Sequence, residues 1–164
     1  MISKPIEKAI NEQINAELYS FYLYLAMSAH FEESGFPGLA RWMRAQAQEE
    51  MSHALKFFSF VHERAGVVKL VAIDQPKGQW PTALAAFKAA QAHERHITQR
   101  INTLMDKAIE AKDHATANFL QWFVKEQVEE EATLDPIVKQ LEAIGDHVGA
   151  IYHLDHQLGK RGGA

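Results

Sequence analysis

Apolar side chains recur every three or four residues through most of the chain, the period of a helix that buries one face. The first series, Ile6, Ile10, Ile14, Phe21, Tyr24 and Phe31, follows Ser3 and Pro5, which suit a helix start. It stops at Ser34-Gly35, where glycine can end a helix, and predicts about 30 helical residues. Phe36-Pro37-Gly38 is a tight connection, so a second helix is expected to run antiparallel to the first, from about Gly38 to Ala65, ending at Gly66. Its inward stripe reads Leu39, Met43, Gln46, Glu50, His53, Phe57 and Phe60. From Val67 to Pro81 the period vanishes among Asp74, Pro76, Gly78 and Pro81. About 15 extended residues reach roughly 50 Å, more than the ~42 Å length of a 28-residue helix, so the third helix is expected to begin at the same end as the second.

Thr82 is the predicted cap of that third helix, whose seam reads Leu84, Phe87, Gln91, Glu94, Thr98, Ile101, Met105 and Ala108. After Lys112-Asp113-His114 a fourth helix carries Thr116, Leu120, Phe123, Gln127, Glu130, Leu134, Ile137 and Leu141 and closes at Gly145. Pro136 is expected to remove one of its hydrogen bonds and kink it, at about 3 kcal/mol. A short amphipathic segment, Val148, Ile151, Leu154 and Leu158, precedes a loose tail from Gly159 to Ala164. The prediction is an all-α four-helix bundle over about 4–145, with a long crossover between helices two and three and a short fifth helix over about 147–158.

Composition narrows the chemistry. The 164 residues suit one domain with its own core, and the absence of cysteine excludes disulfides, thiolate zinc sites and cysteine-ligated iron–sulfur centres. Any metal must be held by His, Glu, Asp or Gln. The N-terminus lacks a signal-peptide pattern, and no run of about 18 apolar residues occurs, so a soluble cytoplasmic protein without a membrane span is expected. A formal net charge of −4 and the lack of a basic block with interleaved aromatics argue against nucleic acid as a partner.

Against this background the polar intruders on the seams stand out. In a helix, Glu50 and His53 lie one turn apart on one face and can share a metal ion. Both fall on the core stripe, where an unpaired carboxylate costs several kcal/mol unless it is neutralised, paired or metal-bound. Glu17, Glu94, Gln127 and Glu130 interrupt the other seams. Glu17 to Glu50 is 33 residues, Glu94 to Gln127 is 33, and a shift of 77 maps Glu17 onto Glu94, Glu49 onto Glu126, Glu50 onto Gln127 and His53 onto Glu130. Two helical hairpins therefore carry matching polar insertions. A bundle builds a two-metal centre this way, with one carboxylate from each of two helices and an i, i+3 pair from each of the others. Oxygen-rich ligands with few imidazoles suit iron or manganese, with zinc as a competitor. A buried polar network that binds nothing is the alternative.

The stretches that carry a family likeness are Asn11-Glu12-Gln13-Ile14-Asn15-Ala16-Glu17-Leu18-Tyr19-Ser20, Ala47-Gln48-Glu49-Glu50-Met51-Ser52-His53, His93-Glu94, Asn118-Phe119-Leu120-Gln121-Trp122-Phe123 and Glu126-Gln127-Val128-Glu129-Glu130-Glu131. Through them the chain resembles a non-haem bacterial ferritin from Ile6 to about Leu158. The resemblance implies a ferroxidase centre, with one iron held by Glu17, Glu50 and His53. The other would be held by Glu94, Glu130 and bridging Glu50, with Gln127 close by. Glu49, Glu126 and Glu129, with Glu130 shared, match an additional iron position. Tyr24 and Trp122 match aromatic residues beside the centre that supply electrons or hydrogen bonds. The implied activity is oxidation of Fe(II) by dioxygen or peroxide, then storage of Fe(III) as a hydrated ferric oxide inside a 24-subunit shell.

Neighbouring families fit less well. Bacterioferritins carry Glu-x-x-His where this chain has Gln127-Val128-Glu129-Glu130, so haem is not expected, although Met51 lies where they place the haem-ligating methionine. A rubrerythrin-like peroxidase needs a cysteine-ligated iron module. A DNA-protecting miniature ferritin places its metal between subunits and lacks a fifth helix. Asn118 and Gln121 stand where animal ferritins line threefold channels with acids, which puts iron uptake by that route in doubt. The last segment resembles the short helix at a fourfold axis, and His147, His153 and His156 are read as surface residues. Gln127 is neutral where its repeat partner Glu50 is charged, so the second iron is expected to bind more weakly.

Overall fold

The chain's punctuation sets the helix ends. The computed structural model describes residues 1–161, which form α1 (Lys4–Glu33), α2 (Pro37–Glu63), α3 (Ala83–Glu110), α4 (His114–Ile144) and α5 (Val148–Leu158), with no strand among the described residues. Gly35 takes φ +79° after α1, a left-handed conformation that glycine adopts without a Cβ penalty. Thr82 caps α3 as predicted, its hydroxyl accepting from the Ala85 N–H at 3.0 Å. Asp113 caps α4 through Thr116 and also pairs with Arg64, tying the end of α2 to the start of α4.

α1 packs on α2, α3 on α4, and α1 on α3, while α5 lies against α2 and α4. The crossover between α2 and α3 runs along α1. Asn11 donates to Val67 O and accepts from the Lys69 N–H, and Asn15 donates to Ala72 O, which satisfies extended backbone that has no sheet partner.

The core is divided in two along the bundle axis. One apolar cluster gathers Tyr24, Met27, Phe31, Leu39, Met43, Phe87 and Leu134. The other gathers Ile6, Ile10, Ile14, Phe57, Ile97, Ile101, Leu120 and Phe123. The polar intruders fill the level between them, so two dry walls enclose the site.

Several expectations are corrected. α2 ends at Glu63, and the left-handed residue after it is Ala65 at φ +54° rather than Gly66. In α3, Leu84, Gln91, Thr98 and Met105 are only half-buried, while Ala86, Ala90, Ile97 and Leu104 are buried. Because α3 touches both α1 and α4, the face it buries is rotated from the single seam read off the sequence. Pro136 lies within α4, which is continuous to Ile144. Pro136 and Ala132 are both exposed, so the carbonyl that loses its donor lies on a wet face.

In α5 only Leu154 of the predicted apolar face is buried; Val148 is 59% exposed. The tail is not loose through Arg161. Asp155 Oδ1 accepts from the Leu39 N–H at 2.7 Å, Arg41 donates to Gly159 O at 3.0 Å, and Arg161 reaches Gln46 and Glu49. The remainder of the predicted tail, 162–164, lies outside the described residues.

Candidate metal centre

Four helices each place an acid on the same interior level. Glu17 comes from α1, Glu50 and His53 from α2, Glu94 from α3, and Gln127 and Glu130 from α4, and all six are buried. Glu50 and His53 share a face as their spacing requires, with His53 Nδ1 3.4 Å from Glu50 Oε2. Among the described residues, two groups of acids and histidine have ligand atoms all within 4.8 Å of one another: Glu17, Glu50 and His53, and His53, Glu126 and Glu130. The first is the set predicted for the first iron. Glu126 Oε1 lies 3.8 Å from His53 Nε2, so the fourth helix reaches the first pair more directly than the sequence suggested.

The remaining acids are held at hydrogen-bond distance by neutral neighbours. Tyr24 donates from its hydroxyl to Glu94 Oε1 at 2.5 Å. Gln127 turns its amide nitrogen toward Glu94 Oε2 at 3.1 Å and Thr98 Oγ1 at 3.3 Å, which leaves its oxygen as the atom able to face a cation. Trp122 stands edge-on to His53, ring centroids 5.5 Å apart, so both predicted aromatic neighbours are in place. Glu49 and Glu129 belong to neither group: Glu49 pairs with Arg161 at 2.7 Å and Glu129 with Lys125 at 3.6 Å. His93, beside Glu94 in sequence, is committed to Ser20 Oγ at 2.7 Å.

Sequence reasoning missed the groups that orient the candidate ligands. Gln13 donates to Glu17 Oε1 at 2.7 Å, and Gln46 donates to Glu130 Oε2 at 2.5 Å. A signal existed: each glutamine lies on a buried face four residues before a ligand of its own helix, Gln13 before Glu17 and Gln46 before Glu50.

The arrangement fits a cation. Glu17 Oε2 and Glu50 Oε1 are buried without any hydrogen-bond partner, the state that a low-dielectric interior penalises and that a metal ion relieves. Burial, then the Glu50 charge, pushes Glu17 up to about 8; burial pushes Glu94 and Glu130 each up to about 7. Burial, then Glu94 and Glu130, holds Glu50 well above the usual carboxylate range.

These folded values lie above those of the unfolded chain, so the metal-free fold retains protons that the unfolded chain gives up. Its stability is unpenalised by these groups below about pH 4.5 and falls as pH rises through 4.5 toward 8. Cations that take the carboxylates must expel the protons. Calorimetric Zn(II) binding at pH 6 is expected to release more than one proton per chain and fewer at pH 9. Binding without proton release at pH 6 contradicts the burial argument.

Comparison with known proteins identifies the family. A family model described as the ferritin-like domain matches residues 7–144. The chain is 46% identical over 161 residues to a bacterial non-heme ferritin of Bacteroides fragilis, covering 98% of this chain and 100% of that one. It is 39% identical over 158 residues to the bacterial non-heme ferritin of Campylobacter jejuni, covering 96% and 95% of the two chains. An open-pore ferritin from the hyperthermophilic archaeon Archaeoglobus fulgidus superposes with a TM-score of 0.97 at 49% identity, covering 98% and 99%.

Proposed function

The chain belongs to the ferritin family, and from that premise we propose that it stores iron by oxidising Fe(II) at the buried centre and passing Fe(III) into a shell of its own copies. The observation that carries the reading is the pair of buried, partnerless oxygens, Glu17 Oε2 and Glu50 Oε1, beside His53. A scaffold that bound nothing would satisfy them internally, as Tyr24 and Gln127 satisfy the two oxygens of Glu94.

Glu17, Glu50 and His53 take the first Fe(II). Glu94 and Glu130 take the second, with Glu50 between them, and Gln127 presents a neutral oxygen that binds it more weakly. Two Fe(II) supply two electrons to one dioxygen, which gains two protons and leaves as hydrogen peroxide; peroxide as oxidant takes two electrons and two protons to give two waters. Four anionic carboxylates favour the ferric product over the ferrous substrate by charge alone. Tyr24, hydrogen-bonded to Glu94, steadies that ligand and lies within reach as a donor of an electron. Glu49, Glu126 and Glu129, with Glu130, form a further iron position on the route away from the pair.

The shell is taken to have 24 subunits, and surface chemistry supports contact between copies. Tyr22 and Leu25 on α1 and Leu70 and Val71 on the crossover are large apolar groups left exposed on one chain, and neighbouring copies would cover them. Among the described residues, no helix is long and apolar enough to cross a membrane. Residence in the cytoplasm without nucleic-acid or haem partners completes the proposal.

The test adds two equivalents of Fe(II) per chain to metal-free protein in air-saturated buffer while oxygen and ferric absorbance are followed. Oxidation far faster than in buffer, consuming about one dioxygen per two Fe(II), is expected. Oxidation no faster than buffer overturns the proposal.

A further inference from the structure

We propose that Arg161 is a positioning residue for two metal positions at once, an inference that rests on the iron-centre reading above. Its guanidinium lies over the Trp42 ring, 4.7 Å from the centroid. One arm, Nη1, donates to Gln46 Oε1 at 2.9 Å, and the other, Nη2, donates to Glu49 Oε2 at 2.7 Å.

Gln46 is fully buried and has one acceptor end and one donor end. With its oxygen taken by Arg161, its nitrogen must face Glu130, where it donates to Oε2. Arg161 therefore fixes which oxygen of Glu130 remains free for the second iron. The same guanidinium holds Glu49, so a cation entering the further position must first displace it or share that carboxylate. A planar fork with two donor arms can serve both partners, which a lysine ammonium cannot match in geometry.

The tail is placed for this task. A Cβ on Gly38 would lie 1.9 Å from Asp155 O, and one on Gly159 would lie 2.7 Å from Gly38 Cα, so α5 and the start of α2 approach as only glycine permits. Together with the Asp155 cap on Leu39 and the Arg41 bond to Gly159 O, this clamps the tail two residues before Arg161.

A second relay of the same chemistry serves the first iron. Arg100 donates to Gln13 Oε1 at 3.1 Å, and Gln13 donates to Glu17 Oε1. Arg100 comes from the middle of α3, whereas Arg161 comes from the chain beyond α5. The second iron and its exit thus depend on how the C-terminal tail docks, and the first does not.

The test is anaerobic titration of metal-free, full-length protein with Co(II), followed by calorimetry and by its visible absorption, which reports coordination without oxidation. Arg161→Ala is expected to weaken the second position about tenfold, the size of effect outer hydrogen-bond partners have on metal sites, and to tighten the further position. Gln46→Leu should weaken the second position more than the first, and Arg100→Ala the first more than the second. Arg161→Lys should leave the second position weakened. Coincident isotherms for wild type and Arg161→Ala overturn the inference, as does equal weakening of all positions. A wild type that takes up no Co(II) overturns instead the reading on which it rests.

Discussion

Glu50→Gln is expected to slow Fe(II) oxidation at least about 100-fold, since even outer partners of metal ligands cost 10- to 100-fold, and to make the metal-free fold harder to melt at pH 8. The two effects have one cause. Glu50 faces Glu17, Glu94 and Glu130 across a buried space, and one of its oxygens has no partner. As a carboxylate it is the acid we propose to serve both irons. Without metal the same carboxyl is held above its ordinary range, so at pH 8 folding must either retain its proton or bury its charge. Gln keeps the shape, removes the ionisation and adds a donor toward acidic neighbours, a change on the order of 1–4 kcal/mol in favour of the fold. Stopped-flow oxidation and thermal melts of stripped protein at pH 8 check both halves. A variant with unchanged oxidation, or a lower melting temperature, contradicts the assignment.

Phe57→Ala is expected to cost about 3–5 kcal/mol of stability, as large-to-small changes in tight cores do. Phe57 is fully buried, stacks on Phe123 with centroids 4.0 Å apart and meets Phe119 edge-on at 5.4 Å. It lies one turn beyond His53, in the wall that keeps water from the imidazole. Iron oxidation should fall as well, because His53 loses the packing behind it. Chemical denaturation of the variant measures the first effect. A cost under about 1 kcal/mol would show that the wall can collapse to fill the space.

The candidate ligands stood out in the sequence because of what they interrupt. Glu17, Glu50, His53, Glu94 and Glu130 are costly on an apolar seam, and equal 33-residue intervals put them at one level of two hairpins. The crossover was legible from its length and its prolines. Gln13 and Gln46 were harder to read: their place four residues before Glu17 and Glu50 is a signal, but a neutral glutamine does not name the carboxylate it orients. Arg161 was hidden for another reason: its partners Gln46 and Glu49 lie 115 and 112 residues away, and nothing in a glycine-rich terminus foretells a docked guanidinium. Asp155 carries no signal within the short last segment, yet it caps α2 from across the fold. The α3 face was misjudged because a seam drawn for one neighbour ignores the second.

The most direct measurement of the central claim is anomalous diffraction at the iron edge from crystals soaked anaerobically in Fe(II). Two iron peaks per chain are predicted inside the bundle, one among Glu17, Glu50 and His53 and one among Glu50, Glu94 and Glu130. Iron found only at outlying acids such as Glu49 and Glu129, with none between the four helices, would contradict it.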